Sequence, residues 1–473
     1  MQFSKDFIWG TATAAAQVEG AAFEDGKQAS IWDQFAAWPG KTLYGASPET
    51  ACDHYHRYKD DVKILAGLKI PNYRFSVSWP RVMSYSSDSR GNAVHGTVNK
   101  KGLDFYDRLI DELLAKNITP WLTLYHWDLP LELERKGGWR NRDIRYWAAE
   151  YTEVVVKKFS DRVKNFFTIN EPPCVLGGYV GWMAPGLQLP QAEILNVVHN
   201  ILLTHGTMAQ AIRAAAPKAK ICLAHTGFGN FPASESPEDI EAFKRSTECY
   251  EREPGEKYGF QKGSGLFMGH CLTYWCDPIY FGRYPAGAQK AFGKDFPKIL
   301  PGDMDIISTP IDFHGQNIYE GLAIRAPKTA QEKKNGFVVE DFAHGYPNTH
   351  AKWPVTPKSM NHFFQYIWER YKKPIFITEN GISCADNLSP DGKCHDIQRI
   401  DFVRSYLQEL GKAIKAGADI RGYFYWSLMD NFEWARGYGE RFGLVHVDYQ
   451  TQKRTLKDSA LWYSDLVQTG KLK

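Results

Sequence analysis

A stretch that reads as a buried strand, followed by a stretch that reads as a helix, recurs along this whole chain. The strand-like runs are FIWGTATAA (7–15), NYRFSVSW (72–79), TPWLTLYHW (119–127), NFFTIN (165–170), AKICLAHTGF (219–228), DFHGQNIY (312–319), PIFITEN (374–380) and RGYFYWSL (421–428). They are rich in β-branched and aromatic residues, which suit a pleated, buried surface. Amphipathic stretches lie between several of them. DRLIDELLAK (107–116) puts apolar residues at 109, 110, 113 and 114, one face of a helix. DFVRSYLQELGKAIKAG (401–417) does the same and ends on a Gly, a common helix stop. Strands alternating with helices make parallel sheets. Eight such units predict the α/β class and a single (β/α)8, or TIM, barrel over residues 1–473. That length is large for one domain, but α/β barrels run long, and no low-complexity tract or Pro/Gly/Ser-rich linker divides the chain.

Such a barrel builds its site at the C-terminal ends of its strands. Polar residues gather there. The second run carries Arg74 and Trp79, and the third ends in His126, Trp127 and Asp128. The fourth ends in Asn170 and Glu171, where Pro172 and Pro173 stop the ladder. The sixth carries Asn317 and Tyr319, the seventh ends in Glu379 and Asn380, and the eighth carries Trp426 and leads to Glu433 and Trp434. His126 taken alone reads as an ordinary core histidine. Six strand ends marked in the same way read as a site.

Composition narrows its partners. Aromatic residues make up 14%, with 15 Trp and 25 Tyr, which suits stacking on the flat faces of sugars. Net charge is +3 and no basic block of five appears, so nucleic acid is not an expected partner. MQFSKDFIWG has no signal-peptide pattern and no run of about 18 apolar residues exists, so no membrane span and a cytoplasmic location are expected. The eight cysteines, Cys249 among them, form no C-x-x-C pair, so free thiols are expected rather than disulfides or zinc. No metal and no cofactor is expected. Nothing in the sequence distinguishes a monomer from a homo-oligomer.

The fourth and seventh runs each end in Glu beside Asn: Ile-Asn-Glu-Pro and Thr-Glu-Asn-Gly. Strands three apart in an eight-stranded barrel look obliquely across its mouth. Two carboxyl groups flanking one bond are what glycoside hydrolysis needs. One gives a proton to the leaving oxygen. The other, ionised, attacks the anomeric carbon or activates water. Arg74 and Tyr319 would favour the charged form of Glu379. Glu171, followed by two apolar prolines, would sit drier and so hold its proton.

These motifs resemble glycoside hydrolase family 1, the retaining β-glucosidases, nearly end to end. FIWGTATAAAQVEGA (7–21), LYHWDLP (124–130), TINEP (168–172), ITENG (377–381) and WSLMDNFEW (426–434) each resemble a family signature, in the family's order. The resemblance implies that Glu171 is the acid/base and Glu379 the nucleophile, with Arg74, Asn317 and Tyr319 orienting Glu379. It implies that Gln17, His126, Trp127, Asn170, Trp426, Glu433, Trp434 and Phe442 line the sugar pocket, Asn170 meeting the 2-hydroxyl. Trp353, in KWPVTP, matches a leaving-group platform. The implied substrate is a terminal β-glucoside such as cellobiose, with β-galactosides and β-fucosides also accepted. The chain departs from the family pattern at Pro173, at Ile318 between Asn317 and Tyr319, and at Lys358-Ser359 after Pro357.

Other residues read as structural. Glu19, two residues from Gln17 and on the same strand face if extended, suits a hydrogen bond. Cys174 reads as packing, and the Asn117-Ile-Thr and Asn387-Leu-Ser triplets matter only in a secreted chain. Two rivals share the barrel: a 6-phospho-β-glycosidase, for which Arg436 and Arg441 offer cations, and a non-catalytic sugar binder. An aldolase would want a Schiff-base lysine at a strand end, and no run ends in Lys.

Overall fold

The computed structural model describes residues 1–87, 94–248, 271–333 and 336–473. Eight parallel strands close into one barrel: β1 (Ile8–Ala12), β2 (Asn72–Ser76), β3 (Thr119–Tyr125), β4 (Asn165–Asn170), β5 (Lys220–His225), β6 (His314–Asn317), β7 (Ile375–Asn380) and β8 (Ile420–Trp426). Each strand pairs with its sequence neighbours, and β1 closes the ring by pairing with both β2 and β8. This is the TIM barrel that the eight runs predict. Six of the eight runs overshoot their strands at the C-terminal end, while the fourth and seventh, at whose ends the two glutamates stand, stop at Asn170 and Asn380 as their strands do. Trp79 opens the short helix Trp79–Val82, and the first run bends into the helical turn Ala15–Val18. Gln17 and Glu19 therefore do not share a strand face, and Glu19 pairs with Arg81 and Tyr106 at 2.8 and 2.5 Å.

The two amphipathic stretches lie inside longer helices, Lys100–Ala115 and Ile397–Lys415. Gly417 lies just past the second at φ 99°, where a side chain would be strained. Rings on alternate strand positions fill the barrel below its mouth. Trp121, Phe167, Phe313, Phe376 and Phe424 are all buried, and Trp121 lies 5.1 Å from Phe424 and 5.5 Å from Phe376. This layer closes the bottom of any site above it. The seven described cysteines are free thiols, and Cys249 lies outside the described residues. No helix among the described residues is long and apolar enough to cross a membrane.

Candidate active site

Both strands that carry a lip glutamate lose register just before it. On β7 the pairing shifts between Ile377 and Glu379 against β6, and between Ile377 and Asn380 against β8. On β4 it shifts between Phe167 and Asn170 against β5. An extra residue re-aims the side chains that follow it, and such bulges recur beside sites. Glu171 then takes a left-handed backbone, φ 45° and ψ 68°, ahead of the short helix Pro172–Val175. A non-glycine residue in that region carries strain that the surroundings must hold in place. Here Pro172 and Pro173 open the helix, where their fixed φ and missing N–H cost least.

One hydrogen-bond network joins the two carboxyls. Arg74 donates to Glu379 Oε1 at 2.7 Å and to Asn170 Oδ1 at 2.5 Å. Tyr319 donates its hydroxyl to Glu379 Oε2 at 2.8 Å. The Asn317 amide, expected beside Glu379, instead donates to Glu171 Oε1 at 2.8 Å and to Asn170 Oδ1 at 3.1 Å. Its own oxygen accepts from Thr378, which is how it reaches the seventh strand. The Arg74 guanidinium rests 4.8 Å above the Phe167 ring, on top of the aromatic layer.

Burial governs the charge of this pair. It pushes the Glu171 carboxyl above its ordinary value, while donors from Asn317, Cys174 and Thr226 pull it back. Burial also pushes Glu379 up to about 7. Arg74 and Tyr319 pull it down and the charge of Glu171 pushes it up. The two donors on Glu379 are therefore in place but do not bring it into the usual carboxylate range, because desolvation outweighs them.

Glu171 and Glu379 line a cavity of about 540 Å³, together with His126, Trp127, Trp426, Glu433, Trp434 and Phe442. The size suits a small organic ligand. Trp353 and Tyr319 also line it, their rings 5.5 Å apart. Gln17, Arg74, Asn170 and Asn317 stand one layer behind this wall. The Asn170 amide is taken up by His126, Arg74 and Asn317, and Gln17 donates to Glu433 Oε2 at 3.3 Å. Glu433 is half-buried, yet burial pushes its carboxyl up to about 8, with Glu440 and Glu379 adding to the effect. Asp128, another strand-end residue, lines a separate small recess beside Glu19.

Sequence reasoning misses several residues. Thr226, Phe228 and Glu320 line the same cavity from strand ends, while Trp182 enters from a loop. Cys174, read as packing, donates to Glu171. Thr226 and Phe228 lie in the part of run five that extends past its strand, and Glu320 directly follows run six, so all three are legible as lip residues; the long loop that carries Trp182 has no periodic signal.

Comparisons with known proteins agree over the full length. The family profile described as Glycosyl hydrolase family 1 matches residues 1–257 and 261–472. Beta-glucosidase A of Thermotoga maritima is 40% identical over 476 residues, 100% of this chain and 99% of that protein. Beta-glucosidase A of Acetivibrio thermocellus is 40% identical over 99% and 98% of the two chains. The solved structure of a Thermotoga maritima beta-glucosidase in complex with glucoimidazole superposes with a TM-score of 0.86 at 38% identity, covering 100% of both chains.

Proposed function

Because this chain belongs to glycosyl hydrolase family 1, and is thus a glycoside hydrolase, we propose that it removes terminal β-D-glucosyl residues from cellobiose, short cello-oligosaccharides and aryl β-glucosides with retention of configuration. The observation that carries this is the pair of lip glutamates. They are buried, joined through Arg74, Asn170 and Asn317, and open into one cavity. The names of the relatives, beta-glucosidases at about 40% identity, point the same way.

Two like carboxyls in one dry network titrate as a pair. With one proton between them, Arg74 and Tyr319 favour leaving the charge on Glu379. Glu379 then attacks the anomeric carbon while Glu171 protonates the departing oxygen. This forms a glucosyl ester on Glu379 and breaks the glycosidic bond. Glu171, now ionised, takes a proton from water, whose oxygen displaces Glu379. Two inversions give net retention.

The sugar that is accepted follows from Glu433. Its carboxyl can take hydrogen bonds from two neighbouring hydroxyls, O4 and O6, beside the Trp434 ring. Such donors favour the charged form, offsetting the burial that holds its proton. Glu433 can bridge either O4 configuration, so β-galactosides and β-fucosides are slower or comparable substrates. A 6-phosphate, carrying nearly two negative charges, would bring like charge to this carboxyl. Glu433→Ser is expected to lower kcat/KM on p-nitrophenyl β-glucoside about 10²-fold, the loss of one or two hydrogen bonds to a charged group. A side-by-side assay of that glucoside and its 6-phosphate checks the reading. Preference for the phosphorylated substrate would move this chain to the 6-phospho-β-glycosidases.

Trp353 stands nearer solvent than Trp426 and reads as the platform for the leaving group. Trp353→Ala should harm cellotriose more than p-nitrophenyl β-glucoside, by about tenfold or less, because stacking is worth about 0.5–1.5 kcal/mol. An equal loss on both substrates would make Trp353 structural.

A further inference from the structure

The cavity changes character from floor to mouth. Trp426 and Phe442 are buried and Glu433 is half-buried, whereas Phe228 and Trp353 are half-buried and Trp182 is exposed. Two charged residues belong to this outer part, Glu320 and Arg436. Glu320 directly follows Tyr319, whose hydroxyl holds Glu379. Glu320 itself lines the cavity together with Trp353 and Arg436.

The backbone at Glu320 is fixed. Its carbonyl accepts from Gly229 N at 3.0 Å, and the next residue, Gly321, donates its N–H to Thr356 at 2.8 Å. A Cβ at Gly321 would stand 1.9 Å from the Gly229 oxygen, so only glycine allows the two loops to meet this closely. The Glu320 side chain, by contrast, makes no hydrogen bond or ion pair with any described residue. Burial pushes its carboxyl up to about 7, and the charge of Arg436 pulls it down. Arg436 is held by the Ala351 carbonyl and Glu440, and its guanidinium stands 5.8 Å from the Trp353 ring. An unused carboxylate on a rigid backbone, beside a ring platform and a cation, is a preorganised hydrogen-bonding edge.

We infer that Glu320 is a specificity-determining residue that accepts hydrogen bonds from the hydroxyls of a sugar leaving group on Trp353 and disfavours anionic leaving groups. Glu320 offers only acceptors when charged, and sugar hydroxyls offer donors. An anionic leaving group would be attracted by Arg436 and repelled by Glu320, so the carboxylate sets the sign of discrimination at this mouth. The inference deepens the β-glucosidase reading above and rests on it.

The test compares native enzyme, Glu320→Gln and Glu320→Ala at pH 8, where the native carboxyl is charged. The substrates are cellobiose, p-nitrophenyl β-glucoside and p-carboxyphenyl β-glucoside. For Glu320→Ala, kcat/KM on cellobiose is expected to fall about tenfold or more, the loss of a hydrogen bond to a charged group. The p-nitrophenyl substrate should change by less than about threefold, below the energy of one ordinary hydrogen bond. Glu320→Gln should fall between native and Ala on cellobiose, and both variants should rise on the carboxylated substrate. Parallel losses on all three substrates, or no change on cellobiose, would overturn the inference while leaving β-glucosidase activity standing. A native enzyme that cleaves none of the three at acidic, neutral or alkaline pH would instead overturn the function it rests on.

Discussion

Glu379→Gly is expected to hydrolyse p-nitrophenyl β-glucoside roughly 10⁴-fold or more slowly than the native enzyme, the scale on which losing a nucleophile is felt. Added azide should restore turnover of an activated substrate. The space once held by the carboxylate lies on the α face of the sugar, so the rescued product should be the α-glucosyl azide. Proton NMR of the native reaction should show β-glucose first, before mutarotation. The α-anomer as first product would replace the ester intermediate by direct attack of water, and the two carboxyls would then stand about 6.5–9.5 Å apart rather than about 5–5.5 Å. Arg74 and Tyr319, which both donate to Glu379 in the native enzyme, would be left as a cation and a hydroxyl facing the small empty space. That is a setting in which a small anion binds well.

Glu171→Gln is expected to separate substrates by their leaving groups. With cellobiose, whose leaving alkoxide needs a proton, kcat/KM should fall about 10³–10⁴-fold, at the upper end of what general acid catalysis supplies. With 2,4-dinitrophenyl β-glucoside, which departs without help, the first step should survive and the second should slow. Azide should then speed turnover and yield the β-glucosyl azide, the opposite anomer to the Glu379 experiment. The pH profile gives a second reading. In the proposed mechanism activity needs a protonated Glu171 and an ionised Glu379, so kcat/KM is expected to fall on both sides of an optimum. Burial raises both groups, so both limbs should lie above the range of free carboxyls. Glu171→Gln should flatten the basic limb. If that limb persists unchanged, a group other than Glu171 supplies the proton.

The eight strand centres are legible because a buried parallel strand leaves a dense apolar trace, and each trace here is long enough to count. Strand ends are not. Trp79, Trp127 and Leu428 are as apolar as the ladders they follow, because the lip of this barrel is itself buried. A pattern of burial cannot tell a paired residue from an unpaired one. The same limit hides the change of conformation at Ala15–Val18, which puts Gln17 behind Glu433 rather than on a strand. Glu171 and Glu379 stand out by company rather than singly: one glutamate at a strand end is usually a solvated charge, but six strand ends marked with polar residues make a site. Asn317 falls in the right network but on the other carboxyl, since sequence gives its strand and not the direction of its amide. Thr226 lies inside the fifth run but past the end of its strand, and Glu320 one residue beyond the sixth run, so missing them is a matter of not knowing where each strand stops.

The ring layer of Trp121, Phe167, Phe313, Phe376 and Phe424 makes the cavity a cul-de-sac. Everything that enters must leave by the same door. A sugar seated at the blind end cannot depart while the second half of the substrate occupies the threshold, so traffic runs strictly first-in, last-out. In the proposed reaction the aglycone goes first, water or another alcohol takes its place, and glucose follows last. The molecule that steps into the vacated threshold decides whether the enzyme cuts a chain or builds a new one. On that reading the outer residues, rather than the two glutamates, hold the balance between hydrolysis and transfer.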